Sequence, residues 1–125
     1  MAWTKPPKGL VDLFALSLPD APGLERRQMF GCPCAFVNGN LFAGILQDEA
    51  WARLPPGLRE TLDAEYGVRP LEPMPGRPMR AYAVLPEAVV EDEARYAEAL
   101  RAAYVFTAAL PPKVPKPRRP RRRAP

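Results

Sequence analysis

Two groups of residues in this 125-residue chain have types and spacing that suggest chemistry: the pair Cys32-Pro33-Cys34 and a run of cations at the C-terminal end. Paired thiols can form a redox couple, ligate a soft metal or supply a reactive thiolate. The C-x-x-C redox couple has one more residue between its sulfurs, and bridging same-face neighbours on a strand would strain the disulfide. A zinc site takes four ligands, and with no histidine and only two cysteines, carboxylates alone remain to complete it. A reactive thiolate needs exposure and nearby positive charge, yet Arg26 and Arg27 stand several residues away. The remaining reading is structural, since buried cysteine packs as a small hydrophobe. The sequence favours that one, and assigns no metal, no cofactor and no catalytic residue.

The missing histidine reaches further. It removes Ser-His-Asp and Cys-His catalysis together with the usual general base near neutral pH. Asp63 and Glu65 resemble a carboxylate pair, but two positions apart on a helix they do not face each other. The expected protein is therefore not an enzyme. The alternative is a small ligand-binding protein or enzyme with a pocket between sheet and helices, where converging carboxylates would do the work.

The cations divide the chain. Residues 111–125, PPKVPKPRRPRRRAP, hold seven lysines and arginines, six prolines and no acid; the other 110 residues hold 11 basic and 14 acidic side chains. The net charge of +4 thus comes from the tail, over a mildly acidic body. Such a segment cannot build a core and is expected to be disordered, extended to roughly 45 Å in polyproline II. Lys113, Lys116, Arg118, Arg119, Arg121, Arg122 and Arg123 are the candidate nucleic-acid-binding residues. Without an aromatic for stacking, their hold on DNA or RNA would be sequence-blind and salt-sensitive. A protein partner is a second expectation, and a merely solvated tail is the plain alternative. Arg26, Arg27, Arg69, Arg77 and Arg80 would extend the footprint if the fold brought them together, or pair with acids such as Glu60 if it did not.

The elements that would position these groups are readable from apolar spacing. Residues 8–18 have helical period, residues 26–37 and 40–46 read as strands about the hairpin signal Asn38-Gly39, and residues 50–54 as a third strand. Pro55-Pro56 opens a helix that Gly67 ends. Residues 68–72 and 79–85 read as two more strands. A last helix starts near Pro86, with a stripe of Val89, Tyr96, Leu100, Ala103, Phe106 and Leu110, and stops at Pro111-Pro112. The order α-β-β-β-α-β-β-α predicts an α+β domain over residues 1–110, an antiparallel sheet of about five strands packed with helices. A type I′ turn at Asn38-Gly39 sets Phe36 against Leu41, Cys34 against Ala43 and Cys32 against Ile45. Phe30, Cys32, Cys34 and Phe36 then share one apolar face, expected beneath the helices. Trp51 is expected to be half-buried. No apolar run reaches 18 residues and no signal-peptide core opens the chain, so a cytoplasmic protein without membrane contact is expected, its thiols reduced.

The hairpin also carries a likeness. RRQMFGCPCAFVNGNLFAGI, followed by PMPGRPMRAYAVLPEAV and an alanine-rich last helix, resembles the N-terminal domain of the TfoX/Sxy family. The shared pattern is an arginine lead (Arg26-Arg27), a Met29-Phe30-Gly31 strand start, a small-residue strand, a tight Asn38-Gly39 hairpin, and a Gly76-Arg77-Pro78-Met79 loop running into a strand. The resemblance covers roughly residues 10–110. It implies an α+β fold of the same element order, no catalytic residues, and a link to regulation of DNA-uptake competence, in which named members act as transcriptional coactivators. Full-length regulators add a second, helical domain; this chain has the basic tail in that place.

Overall fold

Prolines and glycines punctuate this chain, and most elements begin or end on one. In the computed structural model, which describes residues 7–29 and 31–111, the order is α1 (Lys8–Ser17), β1 (Leu24–Met29), β2 (Cys32–Val37), β3 (Asn40–Leu46), β4 (Glu49–Ala52), α2 (Pro56–Tyr66), β5 (Pro70–Met74), β6 (Arg77–Val84), α3 (Glu87–Glu91) and α4 (Glu93–Ala108). Pro7, Pro55 and Pro86 each stand at the N-cap of a helix. Their fixed φ presets the first turn, and the missing N–H is one that a helix start leaves unpaired anyway. Gly67 ends α2 with φ +77° and donates its N–H to the Asp63 carbonyl at 2.8 Å.

The fold is α+β with a single antiparallel sheet, as expected, but it has six strands. The stretch 26–37 is not one strand. Gly31 takes φ +74°, a left-handed conformation that suits glycine, and the chain folds back there into the β1–β2 hairpin. The last helix is likewise divided at Asp92, whose extended backbone ends α3 and whose Oδ1 accepts the Arg95 N–H to start α4. The strand order is β1-β2-β3-β4-β6-β5. The two edges differ: β1 pairs with β2 residue for residue, whereas β5 carries Pro70 and Pro73 and its register shifts twice.

Asn38 and Gly39 both have positive φ, 52° and 81°, giving the type I′ turn that matches strand twist. Phe36 faces Leu41 as that turn requires. Beyond it a bulge at Phe42 shifts the ladder, so Cys34 faces Gly44 and not Ala43, and the β2–β3 pairing ends at Cys34 before reaching Cys32. Two adjacent residues, Phe42 and Ala43, consequently both enter the helix-side core.

That core lies between the sheet and all four helices, with Phe14 and Leu18, Leu62, Val89, and Tyr96, Leu100 and Ala103 packed on Ala35, Val37, Phe42 and Ile45. Burial of each large side chain there contributes about 1.5–3 kcal/mol. The stripe on α4 runs as predicted to Ala103; Thr107 then takes the next buried place ahead of Phe106. Tyr104 ties α4 to the sheet, donating its hydroxyl to the Pro22 carbonyl at 2.7 Å and meeting Phe42 edge-on. Asn40 Nδ2 donates to the Pro111 carbonyl at 3.0 Å, which fixes the end of the described chain beside the β2–β3 turn.

Candidate functional site

Among the described residues no helix lies over the opposite face of the sheet, yet it holds a second buried cluster: Cys34, Leu46, Trp51, Leu71 and Val84. Every member comes from a strand. The register explains the grouping, because directly paired residues on neighbouring strands point the same way. Arg27 of β1 pairs with Cys34, Cys34 with Gly44, Gly44 with Trp51, and Trp51 with Val84, a single row across five strands. Gly44 leaves the space in which the indole lies. A Cβ there would stand 2.6 Å from the Trp51 ring and 3.0 Å from Cys34 Cβ.

Around this row the face is aromatic and cationic. Tyr82 meets Trp51 edge-on at 5.1 Å, and the Arg53 guanidinium lies 6.0 Å from the Tyr82 ring. Phe36 is covered at 5.0 Å by the guanidinium of Arg27, which also pairs with Glu25 at 2.6 Å. Each arginine is thus stacked on a ring, an arrangement worth about 0.5–1 kcal/mol at an exposed site. Burial pushes the Tyr82 phenol above its ordinary range against the pull of Arg53. Trp51 Nε1 is buried without an acceptor among the described residues.

The cysteines separate. Both are free and about 1% exposed, but Cys32 packs in the helix-side core while Cys34 belongs to the opposite cluster. Burial of both thiols agrees with the structural reading; a common face beneath the helices is overturned by the second cluster, to which Phe36 also belongs. Phe30, placed on that face by the sequence, lies outside the described residues. Desolvation raises the Cys34 thiol more than the Arg27 charge lowers it. A thiol so placed stays protonated near neutral pH and is a poor nucleophile. Trp51 is fully buried, where half-burial was expected.

The arginines do not converge. Arg26 and Arg27 lie on the β1 edge, whereas Arg69, Arg77 and Arg80 flank or occupy the β5–β6 pair at the other end of the sheet. Arg69 pairs with Glu49. The seven tail cations from Lys113 to Arg123 lie outside the described residues. Among those that are described, no three of the Cys, Asp and Glu side chains gather to hold a metal ion, and no helix is long and apolar enough to cross a membrane.

A cleft of about 740 Å3 opens at the rim where the β3–β4 turn meets the C-terminal end of α2 and the start of α3. Of the four carboxylates that line it, Asp63 accepts the Val68 N–H at 2.8 Å and Glu49 pairs with Arg69, while Asp48 and Glu87 stand on the turn and at the start of α3. The interior between sheet and helices is filled by Tyr96, Phe42 and Leu100, each essentially unexposed.

The aromatic face was missed in the sequence, although a signal was there. Residues 32–37 and 41–46 show no alternation of polar with apolar side chains, the pattern of strands covered on both faces.

Fold and faces together define a small α+β module, a helix-backed antiparallel sheet with a second, strand-built cluster on its other face. The model of the TfoX N-terminal domain matches residues 17–107, and the chain belongs to that family. No curated protein and no solved structure gives a significant match to it.

Proposed function

We propose that this chain is a non-enzymatic regulatory and protein-interaction module of TfoX N-terminal type, acting in the cytoplasm, with a basic tail that adds nonspecific affinity for nucleic acid. The observation that carries it is the family match over residues 17–107 joined to a tail of seven cations and no acid. The tail residues Lys113, Lys116, Arg118, Arg119, Arg121, Arg122 and Arg123 contact phosphates and release counterions, which supplies affinity without sequence preference. The folded body, with 14 acids against 11 cations, is left to bind a protein partner.

Fluorescence anisotropy with labelled duplex DNA over a salt series tests this reading. Full engagement of the seven cations gives a log–log slope of about −6. A full-length variant with those cations replaced by glutamine loses the duplex binding. Equal binding by the two proteins, or none by either near physiological salt, sinks the nucleic-acid role.

The alternative of a small-ligand pocket between sheet and helices has the rim cleft in its favour. Against it stand the filled interior and the structural engagement of Asp63 and Glu49.

A further inference from the structure

The exposed face of the sheet, and not the tail alone, points to a second mode of binding. Aromatic rings that border this face, Phe36 and Tyr82, are partly exposed, and each carries an arginine stacked on it. They lie on β2 and β6, separated by β3 and β4, so about 14 Å of sheet lies between them at the usual strand spacing. Leu41 and the buried Trp51 fill that interval with apolar surface. We propose that this face is a platform for single-stranded nucleic acid, on which unpaired bases stack against the rings and guanidinium planes while Arg27 and Arg53 meet the phosphates.

Three observations choose this occupant. The first is charge. On this face Arg27, Arg53 and Arg69 stand with two acids, Glu25 and Glu49, whereas within the helices four cations stand against eight acids. An anion is therefore drawn to the sheet side and turned from the helix side. The second is that Glu25 and Glu49 are already held by Arg27 and Arg69 as surface pairs. Such pairs are weak, so a phosphate can take the guanidinium with little loss. The third is the chemistry of the surface itself. A flat array of rings and guanidinium planes suits splayed bases, whose faces a duplex keeps stacked and hidden.

The proposal deepens the nucleic-acid reading above and rests on it for the ligand class, but it assigns the body a preference the tail lacks. The test uses the full-length chain with the seven tail cations replaced by glutamine, in a Trp3→Phe background that leaves Trp51 as the reporting indole. Labelled oligothymidylate and a duplex of equal length are the probes, at low salt. The platform predicts retained binding to the single strand over the duplex, with a change in Trp51 emission. Arg27→Gln with Arg53→Gln is expected to weaken it about tenfold while the thermal melt holds, and Tyr82→Leu to weaken it similarly. No single-strand binding once the tail is neutralised overturns the platform, as does binding indifferent to the arginine pair. A concentration-dependent dimer abolished by Tyr82→Leu also overturns it, because a second copy would then own the face. Tail neutralisation that leaves duplex binding intact defeats the tail reading instead, and leaves the platform standing on its own data.

Discussion

At the scale of single residues, Cys34 shows how a group suited to chemistry is converted to structure. Its neighbours across the ladder are Gly44 and Arg27, and burial dominates the nearby charge. Cys34→Ser would place a hydroxyl in that cluster and is expected to cost about 1–3 kcal/mol if it finds no partner, with Cys34→Ala costing less. Urea denaturation measures both. The thiol also predicts a pH dependence. In the unfolded chain it titrates near about 8.5, and in the fold it titrates higher. Below the unfolded value both states keep the proton and the contribution is complete; as pH rises, the unfolded chain releases its proton first and stability falls until the folded thiol also titrates. The decline that sets in as pH rises through the unfolded thiol's titration should flatten in Cys34→Ala, and an unchanged slope would refute the assignment. Tyr96, whose burial also raises its phenol, adds to the same loss at still higher pH. That the cysteines are buried was legible in their type and their apolar surroundings. Their division between two clusters was not, because strict alternation along a strand keeps residues two apart on one face, and Cys32, at the first position of β2 after the reversal, departs from it.

At the scale of elements, glycines and caps set the geometry the aromatic face needs. Gly44→Val would drive a side chain into the Trp51 ring and the Cys34 Cβ, both closer to its Cβ than ordinary packing allows. A loss of about 1–3 kcal/mol is expected, with a shifted near-ultraviolet spectrum as the indole moves. Asp92→Ala removes the one side-chain cap at the α3–α4 junction and should cost about 0.5–2 kcal/mol; Asp92→Asn should restore most of it. A thermal melt of the two variants decides this. Helix starts were legible because prolines mark three of them, and the β2–β3 turn because Asn-Gly favours positive φ at both positions. The β1–β2 hairpin was hidden because residues on both sides of Gly31 have strand propensity, and only a left-handed φ at Gly31 reveals the reversal.

At the scale of the whole molecule, the chain is polarised twice, between body and tail in sequence and between helices and sheet in space. The first polarity is plain from the order of residues. The second needs the topology, because the arginines of the sheet are scattered from position 26 to position 80. It predicts that an anionic polymer protects the sheet face and spares the helices. Hydrogen exchange with oligothymidylate present should slow amides of β2, β4 and β6 and leave α2 and α4 unchanged; protection centred on the helices would contradict the polarity. The unequal edges of the sheet have their own consequence. Pro70 and Pro73 remove donors from the β5 edge, while β1 offers an uninterrupted row of backbone groups. Polymerisation by strand addition needs two competent edges per molecule. With one edge disarmed, copies joined through β1 close on each other as a pair, and fibre growth has nowhere to continue.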